Sequence, residues 1–305
     1  MTDRLQRFIL RDASVRGEIV TLDAAWREVV DRHALPGPVR THLGELSAAA
    51  LLLAATLKFD GSLILQIHGD GPVALFVVEC DTAGTFRATV KLREGMDVPE
   101  DATLRDLVDT KGQGRFVVTL DPRQPGGLPG AAQTYQGIVP FDGDSVAQVL
   151  EAYMQRSEQV PTRLWLAADG QRAVGMLLQR LPGEGGHSAP ADTDGWERMQ
   201  HLADTLDAKE MLTLPPEQVL HRLFWQESTE PLDERPWRFR CTCTRERVAG
   251  MLRTLGTEEV QSIIVERGEI EVRCEFCNAR YAFDAVDARL LFAGDAAVPG
   301  SESRH

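Results

Sequence analysis

Arg238-Phe239-Arg240-Cys241-Thr242-Cys243 and, downstream, Cys274-Glu275-Phe276-Cys277 hold four of the chain's five cysteines in two tight pairs, with thirty residues between the pairs. Two short cysteine pairs brought together by a folded segment make a closed tetrahedral site, which suits zinc and leaves no open position for a substrate water. A closed site is most often structural. The first pair, however, is CxC and not the CxxC of common zinc ribbons. A local bend must turn both sulfurs to one side, so they stay close without a metal and can then oxidise. Arg238, Arg240, Arg245 and Arg247 crowd this pair and would favour thiolate over thiol. The plainer readings of these arginines are a solvated face or a small nucleic-acid contact.

Working outward, residues 239–293 form a small C-terminal unit, with Gly256 as a C-cap and Thr257 as an N-cap inside it. A unit of roughly 55 residues is marginal on its apolar core alone, whereas structural zinc supplies about 10–16 kcal/mol of apparent folding free energy in small domains. Residues 294–305 read as a disordered tail. Upstream, Gly183 to Gly195 has a linker's composition, and residues 187–238 read as a helical, metastable linker. Helical patterns run from Trp196 to Leu206 and onward from Pro215-Pro216, where proline suits a first turn. The segment carries Trp196, Leu202, Leu220, Leu223, Phe224 and Trp225, a large apolar load with no evident core of its own. Residues 190–240 hold 11 acidic and 6 basic side chains. Such a segment must dock on something; in the reduced state Trp196, Leu202, Leu220, Phe224 and Trp225 are expected to be covered by the N-terminal domain, and the six residues are candidates for a latch or client surface.

Residues 1–186 mix helices and strands. Leu43, Leu46, Ala50, Leu53 and Leu57 recur at helical spacing with alanines between them, which predicts a helix buried on nearly every side. Leu63, Leu65, Ile67 and then Phe86, Ala88, Val90, Leu92 alternate as strands, the second with Arg87, Thr89 and Lys91 on its polar face. Further strands are expected at Phe116–Leu120, Leu164–Ala167 and Val174–Gln179, and a helix at Val146–Arg156. The order is not a regular βαβ alternation, so the fold class is α+β: a mixed N-terminal domain, a helical linker and a small zinc-binding module.

The balance of 33 Lys+Arg against 46 Asp+Glu gives a net charge of −13, which disfavours a general nucleic-acid binder. Met1 to Gly17 has no apolar h-region, and the apolar run Leu46 to Leu57 is too short to span a bilayer. A cytoplasmic protein with no membrane partner is expected, in a compartment where clustered thiols signal metal or redox sensing more than structural disulfides. Cys80, just past the apolar run Val73 to Val78, reads as a buried structural thiol. The seven histidines show no HExxH spacing, the glycine turns Gly69-Asp70-Gly71-Pro72 and Gly112-Gln113-Gly114 lack the rest of a nucleotide-binding motif, and there is no GxSxG elbow. No catalytic residue is identified.

The CxC-x30-CxxC constellation at Cys241, Cys243, Cys274 and Cys277 resembles that of the 33 kDa chaperonin family of redox-regulated heat-shock holdases. The resemblance runs through Val15-Arg16-Gly17, Lys58-Phe59-Asp60-Gly61, Gly69-Asp70-Gly71-Pro72, Tyr135-Gln136-Gly137-Ile138-Val139-Pro140 and Ser157-Glu158-Gln159-Val160-Pro161-Thr162. One departure is Val174-Gly175, where the family has a Gly-Gly. The resemblance implies zinc on the four cysteines in an inactive reduced state. Oxidation would then form Cys241–Cys243 and Cys274–Cys277 disulfides, unfold the module and linker and give a homodimer that binds unfolding clients without ATP. Closure entropy also favours neighbour disulfides, while ring strain in the CxC pair opposes them. The competing enzyme reading, a dithiol oxidoreductase using Cys274 and Cys277, is disfavoured because such motifs open a helix after a strand without a second cysteine pair. A zinc-module nucleic-acid binder rests on the four arginines alone and runs against the net charge.

Overall fold

The computed structural model describes residues 3–57, 60–122, 133–181 and 194–292. The expected tail and most of the glycine-rich run at 183–195 lie outside them, as do Lys58 and Phe59. Contacts divide the chain into two compact units, Met1–Arg240 and Cys241–His305.

The first unit contains, in chain order, β1 (Arg4–Leu10), β2 (Val15–Leu22), α1 (Ala24–Val30), α2 (Gly37–Thr56), β3 (Gly61–His68), β4 (Val73–Asp81), β5 (Thr85–Leu92), α3 (Leu104–Val108), β6 (Arg115–Pro122), β7 (Tyr135–Pro140) and α4 (Val146–Tyr153). It continues with β8 (Thr162–Ala168), β9 (Ala173–Arg180), α5 (Gly195–Ala203), α6 (Ala208–Thr213), α7 (Pro216–Phe224), β10 (Thr229–Pro236) and β11 (Arg238–Phe239). One antiparallel sheet has the order β10-β1-β2-β9-β8; the other, β11-β5-β4-β3-β6-β7, is antiparallel except for the β11/β5 pair. The α+β class expected from the sequence is the observed one.

The helix expected to be apolar on every side is α2, and its neighbours explain why. It packs against β2, β8 and β9 of one sheet and against β3, β4 and β5 of the other, so no side of its central turns meets water. Small residues permit the close approach. A Cβ at Gly44 would lie 2.4 Å from the Cβ of Ala168, and one at Gly175 would lie 2.8 Å from Leu52 and 3.2 Å from Ala48. Gly175 is therefore kept small by the helix, while the adjacent Val174 faces the other side of the sheet.

That other side is where residues 195–224 dock. Phe8, Val15, Ile19, Val174, Met176 and Leu178 of the sheet share one buried cluster with Met199, Ala203, Leu206, Met211, Val219, Leu223 and Phe224 of the α5–α7 region. The alternate residues Ala173 and Leu177 of β9 join the core around α2. With both faces covered, β9 becomes an almost continuous apolar run, as expected for a doubly buried strand.

Several elements differ from the sequence expectations. The helix expected to Arg156 ends at Tyr153 and continues as a π-helical turn over Met154–Glu158. Thr89 is buried and Leu92 exposed, because β5 is covered on both faces midway and its pairing with β4 shifts register opposite Lys91 and Leu92, which breaks the alternation. Thr257 is not an N-cap: Gly256, at φ 91°, closes one helix and precedes the next, a backbone conformation that glycine adopts without strain. The segment 187–238 is not helical throughout, since it contains β10. That strand pairs with β1, yet none of its eight residues is buried. It holds Pro231 and Pro236, which an edge strand tolerates because one row of its N–H groups needs no partner. Exposed ion pairs tie it down: Arg7 to Asp233 at 3.3 Å, Arg4 to Glu234 at 3.3 Å and Arg11 to Glu230 at 2.5 Å. Such pairs are weak and weaken further with salt.

One buried charge stands out. Glu18 on β2 is 1% exposed. Arg7 Nε lies 3.3 Å from its Oε1, but among the described residues neither carboxylate oxygen accepts a well-aligned hydrogen bond. Burial outweighs the attraction of Arg7 and Arg16 and pushes its pKa from 4.5 up to about 7. Between those two values the native carboxyl keeps a proton that the unfolded chain has released. Stability is therefore fully present below pH 4.5 and falls as pH rises to about 7, by about 3 kcal/mol in all. Glu18→Gln is expected to flatten this slope, read by denaturant unfolding across pH 5 to about 8; an unchanged slope would refute the assignment.

Candidate metal centre and the segment before it

The second unit consists of α8 (Arg245–Leu255), α9 (Thr257–Arg267), β12 (Ile270–Arg273), β13 (Arg280–Phe283) and α10 (Ala285–Phe292). Its core is small: among the described residues, Ala249, Leu252, Val260, Ile270, Phe283, Ala288 and Leu291 are the buried apolar ones. Cys274 to Cys277 form the turn of the β12–β13 hairpin. The Cys274 N–H donates to Ala279 O (2.9 Å), the Asn278 N–H donates to Cys274 O (2.8 Å), and Asn278 takes the left-handed conformation that such a reversal needs. Cys241 and Cys243 lie in the irregular segment just before α8, whose N-cap Thr244 accepts from the Arg247 N–H.

The four sulfurs lie within 4.8 Å of one another. Cys241 and Cys274 are 3.6 Å apart and Cys243 and Cys277 3.2 Å, so all are free thiols. A tetrahedron with metal–sulfur bonds of 2.3 Å has edges of about 3.8 Å. The donor set thus fits one four-coordinate metal ion with no open position. Both of these contacts join cysteines of different pairs, and all four sulfurs are mutually close, so proximity in this state does not select disulfide partners.

The electrostatics of the cluster are uneven. Burial opposes ionisation of Cys243, but the Tyr281 hydroxyl, 3.2 Å from its sulfur, and the sulfurs of Cys277, Cys241 and Cys274 outweigh burial and take the thiol down to about 7. Burial raises Cys241 and Cys277 instead. These surroundings thus oppose the thiolate at Cys241 and Cys277 and favour it at Cys243. Tyr281, not an arginine, is the side chain that favours it. Arg245 donates to Ala282 O and Asp287 and lies over the Phe283 ring at 4.2 Å, while Arg247 binds Thr242 O and Oγ1. Both arginines brace the module. Arg238 and Arg240 belong to the first unit, where their N–H groups donate to Gly84 O and Phe86 O. Because a donor to a ligating sulfur orients and stabilises it, Tyr281→Phe is expected to weaken metal retention by about tenfold or more. Competition with a chromogenic chelator measures this, and unchanged retention would leave the tyrosine without that role.

Cys80 is 1% exposed and its sulfur lies 3.5 Å from Ala50 O. Burial pushes its thiol well up, which makes it a poor nucleophile. Of the six candidate latch residues, Leu223 and Phe224 are buried, and the Phe224 ring lies 6.2 Å from that of Phe8. Trp196, Leu202 and Leu220 pack half-buried at the margin of the same cluster. Trp225 differs: it caps the end of α7 and is 67% exposed. Polar ties add to the docking. Arg172 bridges Asp23 (2.5 Å) and Leu212 O (2.8 Å), and Trp165 Nε1 donates to Asp204 (3.1 Å). Among the described residues, no helix is long and apolar enough to cross a membrane.

Comparison with known proteins agrees across nearly the whole chain. The family described as Hsp33 protein matches residues 3–284. The 33 kDa chaperonin of Chromobacterium violaceum is 48% identical over 304 residues, 99% of this chain and 98% of that one. That of Methylobacillus flagellatus is 45% identical over 306 residues, 100% of this chain and 99% of that one. The crystal structure of the 33 kDa chaperonin from Thermotoga maritima shares the fold, with a TM-score of 0.77 at 23% identity over 96% of this chain and 99% of that one. Fold, cysteine cluster and sequence agree that the chain belongs to the Hsp33 family of chaperones.

Proposed function

We propose that this chain is an ATP-independent holdase, inactive when reduced and metal-bound and activated by oxidation, and that it is not an enzyme. The observation that carries the reading is the set of four free thiols within 4.8 Å of one another in a unit with seven buried apolar residues among those described. Zinc is the metal whose coordination preference such a closed, all-sulfur set meets, and when bound it holds the four thiolates together as a structural staple. Cys241, Cys243, Cys274 and Cys277 are its ligands. Two equivalents of peroxide oxidise them: each peroxide takes two electrons from a thiolate pair and two protons from solvent, giving one disulfide and two waters. We assign the pairs as Cys241–Cys243 and Cys274–Cys277, with Cys80 left reduced.

After that step no thiolate remains to ligate metal, and the small core alone is marginal. The module of residues 239–293 then unfolds, and the linker of residues 187–238 loosens from the domain of residues 1–186. Trp196, Leu202, Leu220, Leu223, Phe224 and Trp225, together with the sheet face beneath the linker, become a surface for weak capture of unfolding proteins in the cytoplasm. The oxidised form is assigned as a homodimer, with neither nucleic acid nor membrane as partner. The test measures zinc content and suppression of client aggregation before and after peroxide, with peptide mapping of disulfides. Expected are one zinc per reduced chain, its loss on oxidation together with gain of activity, and neighbour disulfides. Absence of stoichiometric metal from the reduced protein would overturn the reading; predominantly cross-pair bridges would overturn the pairing.

A further inference from the structure

Strand β10 occupies the edge of the five-stranded sheet, next to β1, but its sequence, Thr-Glu-Pro-Leu-Asp-Glu-Arg-Pro, is a poor one for that place. It buries no side chain, its pairing with β1 shifts register between Gln6 and Phe8, and its two prolines lack donors for the ladder. By contrast β1 buries Leu5, Phe8 and Leu10 and keeps its full pairing with β2 on the other side. The edge is thus covered by a strand that charge and proline make weak, a common way of guarding an edge against a foreign strand. Beside it a cleft of about 350 Å3 is lined by Phe8, Leu220, Pro231 and Leu232, among others. Leu232 is 54% exposed. Four residues separate β10 from Cys241, so covalent continuity links this guard strand to the cysteine module.

We propose that, once β10 is released, the β1 edge binds an extended segment of a non-native polypeptide by strand addition, in β10's place. This rests on the reading that oxidation loosens residues 187–238. The occupant is a stretch of five to seven residues (roughly the length of β1) with free backbone N–H groups and apolar side chains at alternate positions. Alternation matters because successive side chains fall on opposite faces, one of which meets Phe8 and Leu10. Acidic side chains are tolerated on the occupant, since Arg4, Arg7 and Arg11 lose Glu234, Asp233 and Glu230 when β10 leaves. Main-chain hydrogen bonds give affinity without a sequence code, which suits many unrelated clients.

The test uses the full-length, peroxide-oxidised, metal-free protein and a labelled heptapeptide of alternating valine and threonine around a central phenylalanine. Two further peptides have the same side chains but carry N-methyl groups on one or the other alternating set of amides. Strand addition requires one set of donors to face β1. At least one methylated peptide is therefore expected to bind more than about tenfold more weakly by fluorescence anisotropy, and the unmethylated peptide is expected to slow hydrogen exchange at residues 4–10. Equal affinities for all three peptides, or no protection of β1, would overturn the proposal. Aggregation suppression in the same preparation separates the two levels. A protein that suppresses aggregation yet ignores N-methylation refutes strand addition alone; one that never suppresses aggregation refutes the functional reading beneath it.

Discussion

Replacing Cys277 by serine is expected to unfold residues 241–292 in the reduced protein and to leave the α2 core of the first unit folded. The four sulfurs converge from a hairpin turn and a preceding irregular segment, and among the described residues the module's own core has seven buried apolar side chains. With so little apolar area, a staple worth about 10–16 kcal/mol makes the largest contribution to the unit's stability. One lost thiolate removes most of it, because serine is a poor zinc ligand at neutral pH. Chelation of the unmutated protein should reproduce the result. Hydrogen exchange reads it directly: amides of α8, α9, β12 and β13 should exchange freely, while those of α2 and β3 remain slow. A module still protected in the variant, with its metal gone, would mean that the apolar core suffices and that no metal-dependent switch exists.

How much of this was legible in the sequence depended on whether a residue's role was local. The cysteine cluster was fully legible, since two short pairs thirty residues apart can converge only if the intervening chain folds back. Helix α2 was legible because its burial between two sheets is written in every position from Leu46 to Thr56. Strands β1 and β2 were not found. Arg4, Gln6, Arg7, Arg16 and Glu18 break the apolar alternation, and the groups they face lie on other strands, Arg7 beside Glu18 and Arg16 bonded to Gln179, which no local window contains. Strand β10 was hidden by its own prolines and acids, the features that fit it to an edge. Tyr281 escaped for the same reason as Glu18: its value lies in the β13 register that brings its hydroxyl to Cys243. The apolar load of residues 196–225 pointed to docking on the N-terminal domain without saying where. Only the doubly covered β9 reveals which sheet face is the dock.

That docked face leads to the second large effect: the double variant Leu220→Glu, Phe224→Asp should suppress client aggregation in the reduced protein without any oxidant. Phe224 is 1% exposed and packs on Phe8, and truncating a buried phenylalanine alone costs about 3–5 kcal/mol. A carboxylate in its place adds the penalty of an unpaired buried charge. The short helices α5, α6 and α7 have no stability apart from this docking, so the loss falls on the whole segment. When it lifts, Phe8, Val15, Ile19, Met176 and Leu178 lose their cover, while the core around α2 keeps the sheet intact from its other face. The expected signature is faster hydrogen exchange through residues 195–224 with metal still bound, which separates the latch from the cysteine switch. Trp225→Asp serves as the control. At 67% exposure and outside the buried cluster, Trp225 should tolerate the same charge with little change in hydrogen exchange through residues 195–224 of the reduced protein. A double variant that stays inactive, with slow exchange through α5 to α7, would show that Leu220 and Phe224 do not hold the latch closed.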